Sequence, residues 1–275
     1  MNKLYKSLIY DNQVSLSVLD TTSLVNDAIR IHGLDEISAK TLGGLLTACA
    51  YMAGCLKSDK GAVSITVKSN DGSATASVSG DIDGHIRGYI EGAENGLKGG
   101  TMTVIKEDGF FRPFTGTVEL KCDDVSENLM QYFHISEQIP TAVAIGVKLE
   151  NGRCAVAGGV IMQLLPGTSD ENMDKAENAM QDFVDVTAVL EKYGADGIME
   201  KFFGKDTDKR GIYLTFPEYK CNCSRKKIVD KALAPLGKSE LLKIVEELGA
   251  VSVHCHYCNT DYVFSGEDIE KLWQK

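Results

Sequence analysis

The sequence has no uncharged run long enough to span a bilayer. The longest, residues 41–56, falls short of the roughly 18 to 20 apolar residues that a membrane helix needs, and it contains glycine and threonine. We therefore expect a buried core helix there and no membrane partner. Residues 1–6 show no apolar h-region and no small-residue cleavage site, so we expect no secretory signal and a cytoplasmic location.

Positive charge is also scarce. The chain has 29 Lys and Arg against 39 Asp and Glu, a net charge of -10, and residues 221–275 have 8 of each sign. Because nucleic acids bind basic faces, we expect no nucleic-acid partner.

Motifs of nucleotide-binding loops and of nucleophilic catalysis are missing as well. Neither a G-x-G-x-x-G after a strand nor a G-x-x-x-x-G-K-[ST] is present. His32, His85 and His134 show no spacing typical of a metal site or a catalytic triad. The sequence thus predicts no enzyme activity.

The patterns that are present predict an α+β fold. Residues 1–168 form a mixed core domain with an antiparallel sheet, because turn signals such as 70–72 (Asn-Asp-Gly) and 151–152 (Asn-Gly) separate runs of strand-forming residues. Ser23 and Ser38 are predicted N-caps of helices near 23–32 and 38–57.

Residues 169–220 have a different character, and we predict an amphipathic helical linker there. The apolar residues recur at spacings of three and four, which builds one stripe on a helix that Gly194 ends, followed by a short helix over 198–203. The stripe consists of Met173, Ala176, Met180, Phe183, Val184, Thr187 and Leu190. Its simplest role is packing against the core domain.

Four of the eight cysteines lie in the last fifth of the chain as two short clips. Cys221 and Cys223 form the first clip, and Cys255 and Cys258 form the second. Paired cysteines separated by a small folded segment are typical of a tetrahedral structural zinc site, which needs one Zn²⁺ per chain. Only one residue separates the two cysteines of the first clip, whereas paired cysteines of structural zinc sites are normally separated by two to four. This short spacing suits a metal site that is opened in use.

Residues 221–275 are therefore predicted to form a small zinc-binding domain with four cysteine ligands. Ser224 and Ser239 are predicted N-caps, Gly249 a helix end, and Ser265 the start of a terminal helix near a hairpin that presents the second clip. A domain of this size with few apolar residues usually needs a staple, and zinc is the predicted staple.

Zinc would keep the four sulfurs as thiolates, which are reactive nucleophiles. An oxidant converts one thiolate to a sulfenic acid, a neighbouring thiolate resolves it to a disulfide, and the metal loses ligands. Because metal-binding energy in such modules is also folding energy, its loss unfolds the module and could free the linker. The site would then act as a switch.

The residues around the clips leave alternatives open. Arg225, Lys226 and Lys227 either offset the charge of -2 on a zinc with four thiolates or form a solvated helix face. His254 and His256 could replace a sulfur, but four cysteines already complete the tetrahedron. The remaining cysteines are most simply buried small apolar residues: Cys49, Cys55, Cys122 and Cys154.

Two other functions fit part of the pattern. A zinc knuckle that grips nucleic acid would need a basic, aromatic face around the clips, against which the balanced charge of 221–275 argues. A thiol oxidoreductase could use the C-x-x-C of Cys255 and Cys258.

Over nearly its whole length the sequence closely resembles the redox-regulated 33-kDa heat-shock chaperone family, of the Hsp33 type. The stretches that carry the resemblance are 221–226, 253–258 and 262–264 in the C-terminal part, and 87–89, 113–120, 132–141 and 158–167 in the body.

This resemblance implies an ATP-independent holdase that is inactive while reduced and zinc-bound. Oxidation would form the disulfides Cys221–Cys223 and Cys255–Cys258, release zinc and loosen the linker. The active protein would then form a homodimer and bind unfolding client proteins. The four further cysteines of the body and the Lys226–Lys227 pair depart from the family pattern.

Overall fold

The computed structural model describes residues 1–93, 96, 97, 99–107, 109, 113–207 and 211–273. The chain divides into two compact units, Met1–Lys220 and Cys221–Lys275.

The first unit contains two sheets. Its strands are β1 (Lys3–Ile9), β2 (Val14–Asp20), β3 (Ala62–Ser69), β4 (Thr75–Asp81), β5 (His85–Glu91), β6 (Gly100–Glu107), β7 (Phe114–Glu119), β8 (Thr141–Glu150), β9 (Arg153–Leu164), β10 (Tyr213–Thr215) and β11 (Glu218–Tyr219). The five-stranded sheet has the order β10-β1-β2-β9-β8, and the six-stranded sheet the order β11-β5-β4-β3-β6-β7. Neighbouring strands are antiparallel except β11 and β5, which are parallel.

Two of the predicted turn signals lie between strands that pair with each other. The Asn-Asp-Gly segment at 70–72 joins β3 to β4, and Asn151 and Gly152 join β8 to β9 with φ of 51° and 75°. Both positions favour residues that tolerate the left-handed region, which is why Asn-Gly is so strong a hairpin signal. The predicted α+β class with antiparallel sheets is confirmed.

The helices of the first unit are α1 (Thr22–His32), α2 (Glu36–Ala53), α3 (Val125–Tyr132), α4 (Asp170–Met180) and α5 (Val186–Phe203). The helix starts differ from the predicted caps. Asp35, not Ser38, caps α2, because its carboxylate accepts from the backbone N–H groups of Ile37 and Ser38 and from the Ser38 hydroxyl. Helix α1 begins after Thr21, before Ser23.

Helix α2 is the centre of the first unit. Fifteen of its 18 residues are buried, and it packs on strands of both sheets. The prediction of a buried core helix is therefore confirmed, and of the described helices none is both long and apolar enough to cross a membrane.

Helices α4 and α5 of the segment 169–220 pack on the five-stranded sheet of the same unit. Helices α4 and α5 share one buried cluster with β1, β2 and β9, to which Phe183, Leu190 and Phe203 contribute. The prediction of one continuous helix before Gly194 is wrong. A 3-10 turn, Gln181–Phe183, separates α4 from α5, and Asp185 caps the new start by accepting from the N–H of Ala188.

The break changes which apolar residue is buried. Val184, predicted in the stripe, is 84% exposed, and Val186 is buried instead. Gly194 interrupts the helix as predicted, with φ 63° and ψ 173° inside α5.

The second unit is a small α+β module. It contains α6 (Arg225–Ile228), a π-helical turn (Val229–Leu233), a 3-10 turn (Ala234–Leu236), α7 (Lys238–Leu248), the antiparallel hairpin β12 (Val251–Cys255) and β13 (Thr260–Phe264), and α8 (Gly266–Leu272). Ser224 caps α6, Gly249 ends α7 at φ 83°, and Ser265 forms a capping box with Asp268, all as predicted. Gly237 rather than Ser239 occupies the N-cap of α7.

Candidate metal centre

The four C-terminal cysteines converge on one point of the second unit. Their sulfur atoms, on Cys221, Cys223, Cys255 and Cys258, all lie within 4.8 Å of one another. Two of the separations between the clips are below 4 Å. Cys223 Sγ is 3.3 Å from Cys258 Sγ, and Cys221 Sγ is 3.7 Å from Cys255 Sγ.

Local structure fixes each clip. Cys221 and Cys223 lie in a segment without regular secondary structure immediately before Ser224, whose hydroxyl accepts from the N–H of Lys227 and so sets the start of α6. Cys255 is the last residue of β12, and its carbonyl accepts from the N–H of Cys258 at 3.3 Å in the hairpin turn. Asn259 completes that turn at φ 53°.

The spacing of the sulfurs fits a thiolate-bound metal. Tetrahedral zinc with Zn–S bonds of about 2.3 Å places its sulfurs about 3.8 Å apart along each edge. The separations of 3.3 and 3.7 Å are close to this edge length, and every pair of sulfurs lies within 4.8 Å. The four cysteines could therefore hold one metal ion, and this set of soft sulfur ligands suits zinc.

Without a metal the sulfurs are electrostatically unequal. Burial is the main cause that raises the pKa of the Cys221 thiol, and burial also raises the pKa of Cys258. At Cys223 burial acts in the same direction, but hydrogen bonds from Tyr262 and from the other thiols outweigh it, so the pKa of Cys223 is lowered. The thiolate form is thus better supported at Cys223 than at Cys221 or Cys258.

Tyr262 is the functional neighbour that the sequence did not reveal. Its hydroxyl oxygen is 3.0 Å from Cys223 Sγ, and this hydrogen bond is the largest cause that raises the pKa of Tyr262 to about 12. Thr260, two residues earlier on β13, has its hydroxyl oxygen 3.3 Å from Cys258 Sγ. Strand alternation places residues 260 and 262 on one face, which is the signal that could have identified them.

Arg225 and Lys227, two cations near the cysteines, make different contacts. The Arg225 guanidinium donates to the carbonyl of Val263 at 2.8 Å and to Asp268 at 3.0 Å, and it lies 4.1 Å from the ring centre of Phe264. It thereby ties α6 to β13 and α8. Lys227 donates to the carbonyl of Asn222, between the two cysteines of the first clip, at 2.7 Å.

The other candidates lie elsewhere. His254 contacts Asp261 through Nδ1 at 2.8 Å, and neither it nor His256 belongs to the sulfur cluster. Cys49 and Cys154 are buried as predicted, whereas Cys55 and Cys122 are half-buried, so the prediction is wrong for those two.

His85 has carboxylate neighbours that its sequence spacing did not suggest. Ligand atoms of Asp81, Asp83 and His85 lie within 4.8 Å of one another. Asp81 accepts from the backbone N–H groups of Asp83 and His85, and its other oxygen is 3.2 Å from His85 Nδ1. These bonds account for the cluster as the turn between β4 and β5.

The chain is similar to known proteins over nearly its whole length. The family model described as "Hsp33 protein" matches residues 2–265. A 33 kDa chaperonin of Clostridium perfringens (strain SM101 / Type A) is 33% identical over 291 aligned positions, which cover 100% of this chain and 92% of the relative. A 33 kDa chaperonin of Clostridium novyi (strain NT) is 31% identical, with 98% and 97% covered.

A solved structure has the same fold. The crystal structure of the 33 kDa chaperonin (heat shock protein 33 homolog) from Thermotoga maritima superimposes with a TM-score of 0.87 at 26% sequence identity. The match covers 98% of this chain and 97% of that one.

Proposed function

This chain belongs to the Hsp33 family, and from that premise we propose that it is a redox-regulated, ATP-independent chaperone of the cytoplasm. In this proposal the reduced protein holds one Zn²⁺ and is inactive, and oxidation converts it to a holdase for unfolding proteins. It is not an enzyme, because its action is binding.

The observation that carries the proposal is the convergence of Cys221, Cys223, Cys255 and Cys258 within 4.8 Å. Four thiolates around Zn²⁺ store nucleophiles in a protected form, since zinc keeps them deprotonated at a pH where free thiols are mostly protonated. When an oxidant has modified one sulfur, a neighbouring thiolate is close enough to form a disulfide with it.

The redox step consumes one peroxide for each disulfide. A thiolate attacks hydrogen peroxide, forming a sulfenic acid and releasing hydroxide. A second thiolate then attacks the sulfenic sulfur, closing the S–S bond and releasing a second hydroxide. We propose the pairs Cys221–Cys223 and Cys255–Cys258, after which Zn²⁺ has lost its four thiolate ligands.

These pairs lie within the clips, whereas the sulfur separations of 3.3 Å, Cys223 to Cys258, and 3.7 Å, Cys221 to Cys255, lie between them. The pairing is therefore open to a direct test. Peptide mapping of the oxidised protein distinguishes the two sets of disulfides.

Loss of zinc is proposed to unfold the second unit. Among residues 221–273, which the structure describes, its buried apolar core consists of five: Leu233, Leu241, Val251, Phe264 and Ile269. Binding of zinc in small modules is worth on the order of 10 to 16 kcal/mol and is also folding energy. A core this small does not replace that contribution.

We further propose a three-part organisation, in which 1–168 is the substrate-holding and dimerising domain, 169–220 the linker and 221–275 the switch. Once the switch unfolds, the linker leaves the five-stranded sheet. The apolar cluster that it shares with that sheet, which includes Phe183 and Leu190, then becomes available to clients and to a second copy of the chain.

One experiment tests the proposal as a whole. Zinc content, free thiols, dimerisation and suppression of aggregation of a thermally unfolding client are measured on the same samples before and after peroxide. We expect loss of one zinc and four thiols, together with the onset of dimerisation and aggregation suppression. Oxidised protein that has released zinc and still fails to suppress aggregation contradicts the proposal.

Matched variants assign the effect to the cluster. Cys223→Ser removes one ligand, so we expect it to lack zinc and to suppress aggregation without peroxide. Cys122→Ser, at a half-buried cysteine outside the cluster, should behave like the unaltered protein.

A further inference from the structure

The turn between β1 and β2 has an unusual backbone. Three successive non-glycine residues have positive φ: Tyr10 at 50°, Asp11 at 56° and Asn12 at 61°. L-residues are destabilised in the left-handed region and normally occur there singly. Of the other described non-glycine residues with positive φ, Gln138 and Asn259 are isolated, and Asn151 is followed by one glycine of positive φ, Gly152.

A hairpin of this length does not require such a conformation. Ile9 pairs with Val14, so residues 10–13 form a four-residue loop. Loops of four residues are most often built around a type I turn, in which both central residues have negative φ. The N–H of Gln13 donates to the carbonyl of Tyr10 at 3.1 Å, and a type I turn makes this same bond with negative φ at both central residues.

The start of α4 contacts the strained turn directly. The side-chain amide of Asn172 donates to the carbonyl of Tyr10 at 3.2 Å and approaches a carboxylate oxygen of Asp11 at 3.4 Å. Asn172 is only 3% exposed, although it is polar. Its own carbonyl oxygen accepts from Lys175 at 3.1 Å.

The residues just before α4 hold the last residue of the loop. Gln13 accepts at its backbone carbonyl from the N–H of Leu165 at 2.9 Å and from the Thr168 hydroxyl at 2.8 Å. Its side-chain oxygen accepts from the N–H of Ser169, the N-cap of α4, at 2.8 Å. The loop is thus held from both ends by the segment 165–172.

We propose that the turn Tyr10–Asn12 is a spring that opposes the docking of α4. The hydrogen bonds from 165–172 keep the turn left-handed, and when α4 leaves, the turn relaxes to negative φ. The relief of backbone strain favours the released state of α4. This lowers the threshold at which the linker comes off the sheet.

This inference rests on the proposed function in one respect, because it concerns the release of the linker that the chaperone proposal requires. The physical claim concerns the reduced, zinc-bound protein and can be tested without any chaperone assay. Failure of the aggregation assay and failure of the spring are therefore separate results.

Asn12 is the position for the test. The hydrogen bonds between the loop and α4 use atoms of Tyr10, Asp11 and Gln13, so a change at Asn12 alters chiefly the backbone preference. Asn12→Gly removes the penalty of positive φ, and Asn12→Val increases it, because a β-branched residue fits that region poorly. Asn151→Gly and Asn151→Val are the matched controls, since Asn151 has φ 51° in the turn between β8 and β9.

The readout is native-state amide exchange of α4 in the full reduced chain loaded with zinc. Exchange of α2 amides, deep in the core, monitors global unfolding in the same samples. Asn12→Gly should slow exchange of α4 roughly threefold and Asn12→Val should speed it roughly tenfold, both relative to α2. The two Asn151 variants should leave the ratio of α4 to α2 exchange unchanged.

Two results would overturn the proposal. In one, the Asn12 variants leave the exchange ratio unchanged or move it in the opposite directions. In the other, the Asn151 variants move it as much as the Asn12 variants do, which would mean that turn strain acts on the whole unit and not on α4.

Discussion

The hydroxyl of Tyr219 donates to the backbone carbonyl of Gly88 at 2.7 Å. The same oxygen lies 3.3 Å from the N–H of Gly88 and 3.0 Å from Nε2 of His32. Tyr219 is the second residue of β11, which pairs in parallel with β5 and directly precedes Lys220 and Cys221 in the chain. One side chain thus fastens the end of the first unit to its six-stranded sheet.

We predict that Tyr219→Phe loosens β11 without unfolding the first unit. Removing a half-buried hydroxyl leaves a buried carbonyl short of a partner, which costs about 1 to 3 kcal/mol. Exchange of the amides of Glu218 and Lys220, which donate to Gly84 and Ile86, should rise by at least tenfold. Tyr213→Phe, at a side chain that is 71% exposed, is the control and should change neither rate. Unchanged exchange in Tyr219→Phe would show that the hydroxyl does not fasten the strand.

We predict that Tyr262→Phe weakens zinc binding. The Tyr262 hydroxyl keeps its proton, because its hydrogen bond with Cys223 raises the pKa of the tyrosine to about 12, and it can therefore donate to the bound thiolate. Loss of an outer hydrogen bond to a metal ligand typically costs 10- to 100-fold in metal affinity. Competition with a chromogenic chelator measures this loss. An affinity equal to that of the unaltered protein would remove Tyr262 from the site.

Zinc binding should release protons, and its strength should fall with decreasing pH. The pKa values of Cys221 and Cys258 are raised without metal, so both thiols carry protons at pH 7, and Zn²⁺ must displace them. Affinity therefore rises with pH up to the thiol pKa values and is lost on acidification. Titration of zinc into weakly buffered reduced protein at pH 7 should therefore release at least two protons per zinc, one from each of these thiols. Binding without proton release would contradict thiolate ligation.

Arg225 should stabilise the second unit, whereas its neighbour Lys226 should not. The salt bridge of Arg225 with Asp268 is solvent-exposed and contributes little, but its bond to the Val263 carbonyl and its position over Phe264 add to it. We predict that Arg225→Ala lowers the free energy of unfolding of the zinc-bound second unit by about 1 kcal/mol. Lys226→Ala is the matched control, and equal losses in both variants would assign the effect to general charge.

The sequence predicted those parts of the fold that depend on local chemistry. Asn151 and Gly152 have the positive φ that their turn requires, and the Ser265 capping box depends on side chains three residues apart. The four cysteines of the cluster were found by their spacing, because two short clips leave few other ways to collect four sulfurs.

The failures have a common physical cause, which is that distant or competing contacts decided between local alternatives. Val184 fits the spacing of the apolar stripe. A new helix begins at Val186, however, because the Asp185 side chain caps it, and Val184 is then exposed to solvent. Strand alternation puts Tyr262 on the same face as Thr260, but Cys223 lies 39 positions away in the sequence, and only the fold brings the two side chains together. The hydrogen bond from Asn172 to Tyr10 likewise joins residues 162 positions apart, and no local pattern predicts it.

The most direct test of the central claim is to remove zinc from the reduced protein and follow amide exchange over residues 221–273. We claim that a metal held by four cysteines supplies the cohesion that five buried core residues lack. The reduced protein should contain one zinc, and a chelator should abolish exchange protection in α7, β12 and β13 while protection of α2 persists. Reduced protein without zinc, or a second unit that keeps its protection after chelation, would contradict the account.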